Sequence, residues 1–177
     1  MSAIHPIGSD PVYEGFMDRQ LAEGMALSDA SDILDLRVSP MAPPHYIATF
    51  HCRGLVRDEP GGIQDANESS AGVWFPGDYL RRANPFEMIR LFTPRVWHPN
   101  VSDELPLICI GNLTPGTPLV DILFRLYEVL SYQRWHPVEH NSLNKRACAW
   151  AREHQSSFPT DRRPLKRRSM NLEVRPA

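Results

Sequence analysis

The chain has 177 residues, 42% of them hydrophobic and 23% charged, with a formal net charge of −2. That length suits one domain with short tails and lets a core form without a metal or a disulfide, and the near-neutral charge excludes a general nucleic-acid binder. No apolar run approaches the roughly 18 residues of a membrane span, and the residues from Met1 to Pro6 lack the regions of a signal peptide. Three cysteines, Cys52, Cys109 and Cys148, cannot all pair within the chain, which predicts free thiols in a reducing cytoplasm.

The first element is a helix opened by Asp10-Pro11, with a cap followed by proline at the first helical position. Phe16, Met17, Leu21 and Met25 recur at near-helical spacing toward Ala30, while Gly15 and Gly24 weaken the helix. From Ile33 to Val38 apolar and charged residues alternate, which predicts a half-buried strand stopped by Ser39-Pro40. A second alternating run, Tyr46 to Val56, puts Tyr46, Ala48, Phe50 and Cys52 on one face. The polar stretch from Arg57 to Ser70, with Pro60, Gly61 and Gly62, is expected to be a long mobile loop. Two more strands are predicted at Val73-Trp74-Phe75 and from Met88 to Thr93. One helix followed by four short strands implies an α+β fold, an antiparallel meander covered by helices.

Thr117-Pro118 is a capping hydroxyl followed by proline, and Leu119, Ile122, Leu123, Leu126 and Leu130 form an apolar stripe of helical period behind it. A last helix is expected from Asn141 or Ser142, turning Leu143, Ala147, Trp150 and Ala151 inward. After Phe158-Pro159 a basic run of Arg162, Arg163, Lys166, Arg167 and Arg168 begins. The predicted organisation is a tail over 1–9, one domain over 10–160 and a basic tail over 161–177.

The chemistry-bearing segment is Trp97-His98-Pro99-Asn100, followed nine residues after Asn100 by Cys109 in Leu107-Ile108-Cys109-Ile110. A thiol forms acyl intermediates and a carboxamide N–H can stabilise an oxyanion. By itself this is a weak signal, because a free cysteine in an apolar run is as readily a core residue, and asparagine after proline is a common turn residue. A zinc site assembled from His51, Cys52, His98 and Cys109 lacks the paired ligand spacing such sites show, so no metal and no cofactor is expected. The four tryptophans, Trp74, Trp97, Trp135 and Trp150, are expected to pack rather than form a binding platform.

The order of motifs adds specificity. Phe75-Pro76-Gly77-Asp78-Tyr79, Pro85, Phe92-Thr93, His98-Pro99-Asn100 and Ile108-Cys109 follow one another along the chain. That succession resembles the ubiquitin-conjugating enzymes, and the resemblance extends from about Asp10 to Phe158. It implies a four-stranded meander with an N-terminal helix and C-terminal helices, and a thioester nucleophile at Cys109. It further implies an Asn100 that supports the active-site loop and the oxyanion, with His98 and Pro99 holding that loop. The polar position before the last helix, which in the family helps deprotonate an incoming lysine, falls near Asn141, beside Glu139 and His140; a helix cap or solvated loop is the plainer account of it. The implied partners are an activating enzyme, a ubiquitin-like protein and a protein substrate, with no nucleic acid or membrane.

Two departures stand out. The gap from Asn100 to Cys109 is one residue longer than in common members, and the turn from Leu113 to Pro118 lacks the family's tryptophan. That turn and the loop replaced by the Arg57–Ser70 stretch normally dock a RING-type ligase, so the use of a ligase stays open. Such departures fit the bacterial conjugation operons, with a role in antiviral defence. The alternatives are a non-catalytic variant that only binds ubiquitin-like proteins, and a cysteine hydrolase using Cys109 and His98.

Overall fold

A computed structural model describes residues 10–40, 44–58 and 61–166. Helix α1 runs over Pro11–Asp29. Its cap is the Asp10 carboxylate, which accepts from the Val12 and Tyr13 amides at 3.0 and 3.3 Å. The inward face is Phe16, Met17, Gln20, Gly24 and Leu27, whereas Leu21, expected inside, is 41% exposed. Gly24 explains where the helix sits. A Cβ there would lie 2.9 Å from a methyl carbon of Leu119 and another of Leu36. The residue that costs helix propensity is therefore the one that lets α1 settle against its neighbours.

Strands β1 (Leu34–Ser39), β2 (His45–Phe50), β5 (Ser69–Trp74) and β6 (Ile89–Leu91) form the predicted antiparallel meander in the order β1-β2-β5-β6. Leu36, Ala48, Ala71 and Leu91 align across all four strands and are buried. With Leu34, Tyr46, Phe50, Val73 and Ile89 they make one apolar face for the helices, as alternation requires. A short helix, α2 (Pro85–Met88), capped by Asn84, precedes β6 and was not predicted.

The stretch expected to be a mobile loop is instead a hairpin. Strand β2 stops at Phe50, and β3 (Gly54–Arg57) pairs with β4 (Ile63–Ala66) as a separate two-stranded sheet. Two features redirect the chain. Gly54 passes so close to the end of the helix over Leu119–Leu130 that a Cβ would stand 3.0 Å from the Leu130 carbonyl oxygen. Leu55 is then buried in a second, smaller core with Trp97, Tyr132 and Ala147, against which the half-buried Ile63, Trp150 and Phe158 pack.

Helix α3 (Leu119–Leu130) begins where predicted and buries the predicted stripe. Its cap differs: the Thr117 hydroxyl donates to the Thr114 carbonyl at 2.7 Å, and the Leu119 amide donates to Oε1 of Gln20 at 2.7 Å. Gln20 is buried, and its Nε2 donates back to the Phe16 carbonyl, so α1 supplies the cap of α3. Helix α4 (Lys145–Glu153) starts later than expected. Asn144, not Asn141 or Ser142, caps it by accepting from the Ala147 amide at 2.9 Å.

The packed body also continues beyond residue 160, into the segment expected to be a basic tail. Leu165 is 1% exposed within the main core. The buried Asp161 carboxylate accepts from Arg163 at 2.6 Å and from the Arg53 and Arg163 amides. Arg167 and Arg168 lie outside the described residues. Among the described residues no helix is long and apolar enough to cross a membrane.

Candidate active site

The chain reaches the site from β6 through a segment clasped by the unpredicted hairpin. Arg57 donates its amide to the Arg95 carbonyl at 2.9 Å, and Trp97 donates to the Leu55 carbonyl at 2.8 Å. This places Trp97 in the smaller core and sets the direction of His98-Pro99-Asn100.

That turn is held on every side. The Tyr132 hydroxyl donates to the Trp97 carbonyl, and the Tyr132 ring meets the His98 imidazole edge-on at 4.4 Å. Tyr132 sits in the left-handed region, φ 57°, just past the end of α3, which swings its ring under the turn. The Pro99 carbonyl accepts from the Ser142 hydroxyl at 2.8 Å and from the Leu143 and Asn144 amides at 3.0 and 3.2 Å.

His98 is 0% exposed, and burial pushes its pKa down to about 3, the Arg134 main chain opposing this only in part. Its imidazole is therefore neutral at physiological pH. Nδ1 accepts from the Asn100 amide at 3.0 Å, so the ring proton is on Nε2, which makes no well-formed hydrogen bond. A sealed, neutral ring whose accepting nitrogen is already occupied does not form the ion pair that a cysteine hydrolase requires.

Beyond the turn, residues 100–109 fold into a tight hairpin. Cys109 donates its amide to the Asn100 carbonyl at 2.7 Å, Val101 bridges Ile108, and Ser102 donates to the Leu107 carbonyl at 2.9 Å. The thiol-bearing residue and the carboxamide-bearing residue thus face each other across the two arms. The side chain of Asn100 strengthens the link: Nδ2 donates to the Cys109 carbonyl at 3.1 Å. Its Oδ1 accepts from the His136 amide at 3.1 Å, which fixes the orientation of the carboxamide. One Nδ2 hydrogen is left over beside Cys109.

All three cysteines are free, and two of them are sequestered. Cys52 is 2% exposed, with its thiol pushed up to about 12 chiefly by burial and secondarily by Asp161. Cys148 is 0% exposed. Cys109 alone is partly open to solvent.

Asn141 is exposed in a single 3₁₀ turn over Glu139–Asn141, and its amide donates to the Val138 carbonyl at 3.2 Å. It lies next to Ser142 but is not brought into contact with Asn100 or Cys109. Glu139 pairs with Arg152 at 3.2 Å. His51 is not near the site; it bridges Asp35 and Glu68 at 3.0 and 3.2 Å. Tyr132, Ser142 and His136 were not singled out from the sequence, because each meets the turn from more than 30 residues away. Among the described residues no group of three or more His, Cys, Asp or Glu side chains is placed to hold a metal ion.

Neither a family model nor a curated protein matches the chain in sequence. Among solved structures, a Plasmodium yoelii protein provisionally assigned as a ubiquitin conjugating enzyme superposes with a TM-score of 0.55. The superposition covers 86% of this chain and 90% of that one, at 17% identity. The likeness is one of fold: the chain has a ubiquitin-conjugating-enzyme-like α+β architecture.

Proposed function

We propose that the chain is a conjugating enzyme that accepts the C-terminal glycine of a ubiquitin-like protein as a thioester on Cys109 and passes it to an amine. The observation that carries this reading is the pairing of the part-exposed Cys109 with Asn100 across one hairpin, on a ubiquitin-conjugating-enzyme-like fold. In the first step the Cys109 thiolate attacks the thioester carbonyl carried by an activating enzyme. The tetrahedral adduct then expels that enzyme's thiolate. Sulfur replaces sulfur, so no strong base is needed. In the second step an amine attacks the glycyl carbonyl, the oxyanion accepts a hydrogen bond from the remaining Nδ2–H of Asn100, and collapse releases the Cys109 thiolate while the ammonium proton passes to solvent.

In this reading His98 and Pro99 hold the loop, and Asn141 offers an exposed polar group beside the Ser142 contact for the incoming amine. The partners are an activating enzyme, a ubiquitin-like protein and an amine-bearing protein target in the cytoplasm. A bacterial operon that pairs the enzyme with an activating enzyme, a ubiquitin-like protein and a deconjugating peptidase, in an antiviral role, belongs to the same reading. The test is to incubate the full chain with an activating enzyme, ATP and the ubiquitin-like protein from its own genome. A thiol-sensitive adduct that is absent in Cys109→Ala is expected. Adduct formation that is indifferent to Cys109 would overturn the proposal.

A further inference from the structure

The Asn100 carboxamide is held at both ends, Nδ2 on the Cys109 carbonyl and Oδ1 on the main-chain amide of His136, and His136 lies in a segment without regular secondary structure. What holds that segment is therefore relevant to the chemistry. Its own internal tie is local: the Val138 amide donates to Nδ1 of His136 at 3.2 Å. From outside, the Trp135 ring rests edge-on against Phe158 at 5.5 Å. From α4, the thiol of Cys148 donates toward two consecutive carbonyls, those of His136 and Pro137, each at 3.6 Å. Cys148 is wholly buried on the inner face of α4. A buried S–H shared between these carbonyls restrains the two successive peptide planes that follow the His136 amide, even though a single thiol hydrogen bond is weak.

Building on the conjugating reading above, we propose that Cys148 is a positioning residue for transfer: through the His136 and Pro137 carbonyls it holds the amide that aims the Asn100 carboxamide. Three links form the chain of contact, namely thiol to carbonyls, amide to Oδ1, and Nδ2 to the Cys109 carbonyl. The thiol never meets the substrate. Its effect falls on the step that uses the carboxamide and spares the step that uses only the Cys109 sulfur.

The test uses the full-length protein and a chemical acyl donor, the mercaptoethanesulfonate thioester of a glycine-ending peptide. Cys109 attacks the donor carbonyl and expels mercaptoethanesulfonate. Free lysine then attacks the new thioester, expelling the Cys109 thiolate and yielding its proton to buffer. In Cys148→Ala, charging is expected at the wild-type rate. The lysine step should fall about ten-fold in kcat with unchanged KM, the scale of one withdrawn positioning hydrogen bond. In an Asn100→Ala background the same substitution should slow transfer no further, because the contact it supports is already gone. In the free protein, amide hydrogen exchange at His136 should quicken in Cys148→Ala while the Ala147 amide, bonded to Asn144, holds its rate.

Unchanged transfer, an equal and additive loss in the Asn100→Ala background, or unaltered His136 exchange would each overturn the inference. Failure of the wild type to charge from an activating enzyme would instead remove the conjugating reading. The exchange measurement then decides by itself whether Cys148 holds the His136 amide.

Discussion

Removing the Asn100 carboxamide separates the two steps of the proposed reaction. In Asn100→Ala two side-chain hydrogen bonds are lost, Nδ2 to the Cys109 carbonyl and the His136 amide to Oδ1. At about 0.5–1.5 kcal/mol each, their loss costs roughly 1–3 kcal/mol of stability. For a domain of this size that lowers Tm by about 2–4 °C per kcal/mol, which leaves the protein folded at 25 °C. Losing an oxyanion donor costs more in rate, on the order of 10²–10³-fold. Charging of Cys109 should therefore be little changed while transfer to lysine falls by about two to three orders of magnitude. Asn100→Asp sharpens the comparison. It keeps an acceptor for the His136 amide but sets a carboxylate oxygen against the Cys109 carbonyl where Nδ2 had donated, so Tm should rise no higher than in Asn100→Ala while transfer stays slow. Single-turnover charging and lysine discharge, followed on non-reducing gels beside a thermal melt, give all three quantities. Equal slowing of both steps, or wild-type transfer in Asn100→Asp, would refute the role assigned to the carboxamide.

Further outcomes follow from the burial and charge of particular groups. Iodoacetamide on the native protein should alkylate Cys109 first, with Cys52 and Cys148 reacting only on unfolding; mass mapping of the modified cysteine checks this. Gly24→Ala places a methyl 2.9 Å from side-chain carbons of Leu119 and Leu36 and should cost about 1–3 kcal/mol despite its better helix propensity, read from a denaturant midpoint. The carboxyl of Asp161 is held below its ordinary value, first by hydrogen bonds from the Arg163 side chain and then by main-chain amides, against the opposing effect of burial. A carboxyl with a depressed folded pKa contributes stability above its unfolded value, about 3.9, and loses it as pH falls through the folded one. The stability gap between wild type and Asp161→Asn should thus be level near neutrality and shrink below about pH 4, as thermal melts across pH would show.

The elements that could be read from the sequence are those whose signal is local. The stripe from Leu119 to Leu130 and the alternation from Leu34 to Phe50 carry their own period, and Asp10-Pro11 announces its helix. The hairpin over 54–66 could not be read. Its apolar content is Leu55, Val56 and Ile63 among glycines and charges, and what orders it is Trp97 and Tyr132, distant in the chain. Gln20 as the cap of Leu119 spans 99 positions and leaves no pattern in either segment. The candidate site divides the same way. His98-Pro99-Asn100 and Cys109 are near enough in sequence to be noticed together. The residues that orient them, Tyr132, His136, Ser142 and Cys148, are assembled only by folding.

The pairing of Asn100 with Cys109 on opposite arms of a hairpin also changes what the extra residue between them means. Antiparallel arms keep partners opposite one another however long the connecting turn is, and here the arms are closed as far as Ser102 and Leu107. An insertion at Asp103 or Glu104 falls where the backbone reverses, ahead of the Pro106 carbonyl that accepts from the Leu91 amide of β6 at 3.0 Å, and leaves Asn100 and Cys109 opposite each other. Length at that turn can therefore vary without registering in the distance between carboxamide and sulfur.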